Sequence, residues 1–253
     1  MCKLHYIFVF FLCMQFAIAQ DISKDTVIKP FEINKRFLSG INIPKVKLKA
    51  HPERAYFQRT IYKGSDLSVF ILSSETATNT IKDFSVDEFV YYLKGKAEIK
   101  LENNEKRSFL SGDYICVPKG FSGEWTNNEG NKYHLELSVI SNKRADKEAV
   151  SIPSIPFLLD REVLSGIKNE TTLFSGVELN IEIVSEIPGH KEISPTTKDQ
   201  FIHVLDGMIV ISANNDSLEI FHRGDFFVLP KGFSGILKTE AQDTCRMLVV
   251  TAK

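Results

Sequence analysis

Glu88, Tyr92 and Trp125 offer the most chemistry in this chain: a carboxylate, a phenol and an indole. If Glu88–Leu93 is a strand, Glu88, Val90 and Tyr92 share one face, because side chains alternate along extended backbone. A carboxyl walled in by aromatic rings keeps its proton to higher pH than one in water, which suits general acid or base work. The same groups would also line a pocket for a small polar ligand, stacking on its flat or apolar face and hydrogen-bonding its amino or hydroxyl groups. The plainer alternative makes Tyr92 and Trp125 core residues, with Glu88 at a solvent-accessible mouth.

Other reactive groups are sparse. His190 and Glu192 are two residues apart, on one face of a strand, ahead of Gln200. A degenerate metal site would draw on those three, although an amide oxygen is a weak ligand for transition metals. His203, three residues beyond Gln200, falls on the opposite face and is expected on the outer or inter-domain side. Lys119 and Lys231 read as exposed hairpin charges rather than anion contacts. There is no GxxxxGK[ST] phosphate loop, no Cys-x-x-Cys pair and no arguable Ser-His-Asp order. A formal net charge of -1 over 253 residues, with no basic stripe, argues against nucleic acid or an anionic membrane surface as partner.

The elements that must position these residues come in two copies. Pro118–Gly123 and Pro230–Gly235 both read PKGFSG, 112 residues apart. At the same offset Gly112-Asp113 matches Gly224-Asp225, Gly95 matches Gly207, and Glu88 matches Gln200. An offset held across several landmarks is an internal duplication. Within each copy, short β-branched and aromatic runs alternate with Gly, Asn and Asp clusters, the mark of consecutive antiparallel strands. The first copy has Leu67–Leu72, Glu88–Leu93, Ala97–Leu101, Tyr114–Val117 and Tyr133–Ile140, and the second has Val177–Val184, Gln200–Leu205, Met208–Ser212, Phe226–Leu229 and Arg246–Thr251. Lys94-Gly95 and Asp206-Gly207 fall between such runs, where glycine takes the positive φ of a tight hairpin. The expected fold is all-β, with two barrels or jelly rolls in tandem.

Residues 1–19 have the form of a secretory signal peptide: Lys3, an apolar run Tyr6–Phe16, then Ala17-Ile18-Ala19. That run is shorter than the roughly 20 residues needed to cross a bilayer. The mature chain is expected to be secreted or periplasmic, with no membrane span after cleavage, and to keep Cys116 and Cys245 as buried thiols, a single disulfide between them being the alternative. Residues 20–54 read as an arm, 55–140 as the first domain, 141–152 as a charged linker and 153–253 as the second domain.

At the repeated landmarks the chain resembles the cupin superfamily, whose fold is the double-stranded β-helix or jelly-roll barrel. Glu88 and Gly95 match the end of its first motif; Gly112, Pro118, Gly120 and Asn127 match its second. The wording GDYICVPKGFSGEW is similar to the cupin branch that includes ureidoglycine aminohydrolase-like and ethanolamine-utilisation-like domains. The resemblance implies a metal held by three histidines and a glutamate, but the stretch 81–87 has no histidine and Gly123 stands at the other histidine position. No metal and no cofactor is therefore expected in the first domain. The resemblance also implies one active copy and one scaffold, and a homodimer as a common assembly. Three functions stay open: binding of a small polar metabolite or carbohydrate around Glu88, Tyr92 and Trp125; a hydrolase using Glu88 as acid/base or the degenerate second-domain metal site; and an envelope assembly protein.

Overall fold

The computed structural model describes residues 28–48, 52–127, 133–159, 161–213, 218–239 and 244–253; the expected leader lies outside them. The arm carries β1 (Phe31–Glu32), the one-turn helix α1 (Lys35–Leu38) and β2 (Lys45–Val46). The first repeat adds β3 (Tyr56–Lys63), β4 (Leu67–Ser74), β5 (Ala77–Ile81), β6 (Glu88–Lys94), β7 (Lys96–Leu101), β8 (Lys106–Leu110), β9 (Tyr114–Val117), β10 (Gly123–Asn127) and β11 (Leu135–Ser141). A second arm follows, with β12 (Phe157–Leu159) and α2 (Arg161–Gly166). The second repeat comprises β13 (Thr171–Ser175), β14 (Leu179–Glu186), β15 (Gly189–Ile193), β16 (Gln200–Asp206), β17 (Met208–Ala213), β18 (Leu218–His222), β19 (Phe226–Leu229), β20 (Gly235–Thr239) and β21 (Cys245–Ala252). Gly95 and Gly207 turn the β6–β7 and β16–β17 hairpins with φ of 102° and 83°, a region closed to most L side chains. No helix among the described residues is long and apolar enough to cross a membrane.

Each repeat closes a large sheet over a small one. The first barrel pairs the sheet β12-β9-β6-β11-β4-β3-β2 with β5-β10-β7-β8; the second pairs β1-β19-β16-β21-β14-β13 with β15-β20-β17-β18. The small-sheet strands β7 and β17 alternate between buried and half-buried residues, because only one face meets a barrel interior. The large-sheet strands β9 and β19 are buried throughout, as near-continuous apolar runs require. One face of each large sheet fills its own barrel. The other faces press together, with Val69, Phe89 and Leu137 meeting Ile181, Phe201 and Val250 in a shared core.

The two arms are exchanged. β1, at the start of the chain, adds to β19 of the second barrel through Phe31↔Val228, whereas β12, which follows the first repeat, adds to β9 of the first barrel through Phe157↔Cys116. The arms are themselves copies, since Pro30-Phe31 matches Pro156-Phe157 and Leu38-Ser39-Gly40-Ile41 matches Leu164-Ser165-Gly166-Ile167, both 126 residues apart. That offset differs from 112 because the first arm carries extra residues before β3, so a comparison at constant spacing does not detect it.

Two buried carboxylates lock the barrels to each other. Asp87 Oδ2 accepts from the N–H groups of Glu178 (2.7 Å) and Leu179 (3.2 Å), at the start of β14, and its Oδ1 accepts from the Lys119 N–H (2.8 Å) and the Ser151 hydroxyl (2.6 Å). Its repeat mate Asp199 accepts from the N–H groups of Asp66 (2.7 Å) and Leu67 (3.2 Å), from the Lys231 N–H (2.8 Å) and from the Tyr62 phenol (2.9 Å). Asp66 in turn pairs with Lys143 at 2.6 Å. Burial pushes the Asp66 carboxyl up, but Lys143, the Ser65 hydroxyl and the Asp199 N–H more than offset this and hold it at about 2.

Lys119 corrects the expectation of an exposed charge: it is buried, and its ammonium donates to the carbonyl groups of Asp146, Lys147 (3.3 Å) and Ala149 (2.8 Å), tying down the segment between the repeats. Lys231 is exposed.

Asp87→Ala or Asp199→Ala strands buried N–H groups on both sides of the barrel contact. Either substitution is expected to lower the unfolding free energy by about 3 kcal/mol. Urea unfolding checks this through a lower midpoint; an unchanged midpoint would mean the clasps contribute nothing.

Candidate functional site

The inward face of the first barrel's large sheet carries polar groups that the second barrel lacks. On β6, Glu88, Val90 and Tyr92 point inward, as alternation predicts, while Phe89 joins the core between the barrels. On β11 the register Tyr92↔Glu136 and Val90↔Ser138 places Glu136 and Ser138 on the same inner face. Ser138 Oγ donates to Glu88 Oε1, and the His134 imidazole lies 3.4 Å from Glu136 Oε2. Tyr56 on β3 closes this side, under the fields of both carboxylates. The matching residues of the second barrel, Gln200 and Val204 on β16 and Met247 and Val249 on β21, keep the same pairing register. That barrel is instead filled by apolar groups, including a Phe221–Phe227 stack with ring centres 3.9 Å apart.

Tyr92 and Trp125 lie beside this acid pair with their polar atoms already satisfied. The Tyr92 hydroxyl (2.9 Å) and the Trp125 indole N–H (2.6 Å) both donate to Asn127 Oδ1. Tyr92 stacks on His134 with ring centres 5.8 Å apart, and Trp125 on Phe109 at 6.4 Å. Both rings are buried among Val90, Ile99 and Phe121. They pack the same barrel interior as the carboxyl groups on β6 and β11, which hold Ser138 and His134.

Burial first, and then the Glu136 carboxylate, push the Glu88 carboxyl up to about 7, with Ser138 and Arg144 acting the other way. Burial, then Glu136, raises the Tyr56 and Tyr92 phenols as well, so both stay protonated donors.

The metal centre implied by the cupin resemblance does not fit these residues. The inward positions of β5, facing β10, are Ala77, Asn79 and Ile81. Asn79 Oδ1 accepts from Arg54 Nη1 at 2.5 Å, and Ile81 packs on the barrel's apolar cluster. At Gly123, a Cβ would come within 2.7 Å of the Lys100 carbonyl oxygen and 2.9 Å of the Phe121 ring. No histidine enters there without moving backbone.

In the second barrel, His190 and Glu192 are exposed, opposite Lys238 and Ile236, whereas Lys191 opposes the inward Leu237. The strand phase is the reverse of the one a site with Gln200 needs, so that candidate is corrected: its members lie on opposite sides of the barrel wall. His203 packs between the barrels, with Nδ1 3.0 Å from the Tyr114 hydroxyl and its ring stacked on Phe226 at 3.8 Å. Cys116 and Cys245 are free thiols, one in the core between the barrels and the other inside the second barrel.

Glu136, Ser138, His134 and Tyr56 escaped the sequence reading. The available signal was a difference between repeats: Glu136 and Ser138 alternate with Leu135, Leu137 and Val139, whereas the second copy has Met247 and Val249.

Since the folded-state pKa of Glu88 lies above its ordinary 4.5, the native state binds this proton more tightly than the unfolded chain. Its contribution to stability is fully present below 4.5 and is lost as pH rises through about 7. Glu88→Gln abolishes the effect. Between pH 4.5 and 8, wild type is expected to lose about 3 kcal/mol relative to Glu88→Gln in urea unfolding. A difference independent of pH would place Glu88 in bulk water.

Comparison with known proteins supports this architecture. The family model described as EutQ-like cupin domain matches twice, at residues 67–133 and 180–246, more than half of the chain. Among solved structures, a cupin 2 conserved barrel domain protein from Leptotrichia buccalis is 18% identical, with a TM-score of 0.57, over 91% of this chain and 99% of that one. Protein Ylba from E. coli is 12% identical, with a TM-score of 0.53, over 84% and 88%. The salicylate 1,2-dioxygenase of Pseudaminobacter salicylatoxidans is 11% identical, with a TM-score of 0.59, over 94% and 87%. At such identities the likeness is one of fold. No curated protein matches the chain. With both matched segments coinciding with the two barrels, the chain belongs to the EutQ-like cupin domain family and carries that domain twice.

Proposed function

We propose that the protein is exported and that its first barrel binds a small polar metabolite or carbohydrate, without metal chemistry. The observation that carries this reading is the pair Glu88 and Glu136 on the inner face of one barrel only, where the other barrel has Gln200 and Met247. A carboxylate pair beside a raised phenol offers acceptors and a donor to amino and hydroxyl groups, and the walls supplied by Tyr92, Trp125 and Phe109 exclude water from the ligand's apolar face. The second barrel acts as scaffold. A thermal-shift and calorimetric screen of sugars and nitrogenous metabolites is expected to find a ligand that stabilises wild type and no longer stabilises Glu88→Gln or Glu136→Gln. A ligand bound equally by all three would overturn this placement.

A second reading is favoured by the Glu88 carboxyl itself, since a group titrating at about 7 is matched to proton transfer near neutrality. In that reading the protein is a hydrolase resembling the ureidoglycine aminohydrolase branch of cupins, with Glu88 as acid/base. Turnover lost in Glu88→Gln and following a pH profile with an inflection near 7 is its expected signature. For the export proposal, mass spectrometry of protein recovered outside the cytoplasm is expected to find Gln20 at the N-terminus; retention of residues 1–19 would overturn it.

A further inference from the structure

Away from the barrel interiors, a cavity of about 320 Å³ lies between the N-terminal arm and β3, lined by Asn34, Arg36, Phe37, Ile41, Asn42 and Arg59. Its volume falls in the lower part of the range of small-molecule pockets. Arg107, Arg144, Arg223 and Arg246 each pair with a carboxylate. Arg36 and Arg59 have no carboxylate within ion-pairing distance among the described residues. Arg59 donates to the carbonyl of Asn42, which leaves further guanidinium N–H groups. Asn34 Oδ1 accepts from the Arg36 N–H, which leaves the Asn34 amide NH2 as another donor.

The duplication supplies a control. The second arm keeps Pro-Phe and Leu-Ser-Gly-Ile and the same strand exchange, but has Glu162 where the first has Arg36. On the barrel side the register Arg59↔Ile71 and Thr171↔Ile183 makes Thr171 the counterpart of Arg59. Docking an arm therefore does not need Arg36; Arg59 on β3 also reaches the first arm through Asn42, as Arg246 reaches the carbonyls of Leu164, Ser165 and Ile167 in the second, and the pairing of Arg36 with Arg59 belongs to the first arm's junction alone.

We propose that this cavity binds a small organic anion, a carboxylate or phosphate ester, with its acidic group between Arg36 and Arg59 and its apolar part on Phe37 and Ile41. Guanidinium forks match the oxygens of either acid bidentately, and two of them with no carboxylate partner among the described residues form a dianion-sized receptor. Because the arm and β3 share the cavity, a bound anion also fastens the exchanged arm to the first barrel. This site is independent of the Glu88 site.

Isothermal titration of the mature protein with phenyl phosphate, benzoate, inorganic phosphate and benzyl alcohol tests this. Phenyl phosphate or benzoate is expected to bind, and the stronger identifies the acid type. Inorganic phosphate should bind about tenfold more weakly or worse, and benzyl alcohol not at all. Arg36→Gln, an exposed change that breaks no ion pair among the described residues, should weaken binding about tenfold. Arg59→Lys keeps the charge but loses the fork and should weaken it too. Bound anion should slow hydrogen exchange at the amides of residues 34–42. Absence of binding by both aromatic acids, equal binding of inorganic phosphate, or unchanged binding by Arg36→Gln would each overturn the proposal.

Discussion

The architecture rests on a pair of buried carboxylates that each reach from one barrel into the other. Asp87 and Asp199 accept backbone N–H groups at the start of β14 or β4 in the facing barrel. An ionised carboxylate has only acceptor sites, so it can satisfy several converging N–H groups at once, which an asparagine cannot. These contacts set the large sheets against each other, and with that come the shared apolar core and the exchange of arms. A change in this junction would be felt at Glu88, the next residue after Asp87.

On this common frame the two interiors have diverged. Strand lengths, hairpin glycines and register are nearly the same, yet one barrel is closed by stacked phenylalanines and the other keeps an acidic, aromatic-walled face. Burying carboxylates destabilises a protein unless partners compensate, and the elevated pKa of Glu88 shows compensation by Ser138 and Arg144 is incomplete. The twin barrel shows that apolar residues fit the same register, so the fold itself does not require this imbalance.

The position where the cupin resemblance implies a histidine is closed to side chains. With glycine at 123, β10 lies so close to the Lys100 carbonyl and the Phe121 ring that no side chain fits. Gly235 shows the same closure, a Cβ there falling 2.2 Å from the Ser212 carbonyl oxygen. Both repeats thus share a backbone with no room for a side chain at this position, and the acidic groups of the first stand on the β6–β11 side.

Sequence alone determined what local patterning can: the duplication, the all-β class, the inward face of β6 and the unsuitability of 81–87 as a histidine pair. These follow from alternation, hairpin glycines and residue identity, which need no knowledge of partners. Tertiary structure decided the rest. Whether Lys119 is exposed, and which way β15 turns its alternating residues, depends on neighbours distant in the chain. The arm exchange was written in Pro-Phe and Leu-Ser-Gly-Ile, but at a different offset from the barrels, and no spacing says which barrel an arm joins. Glu136 was visible as an acid in an apolar strand; only the β6–β11 register brought it to the face of Glu88, because a carboxylate gains meaning from what lies across the sheet.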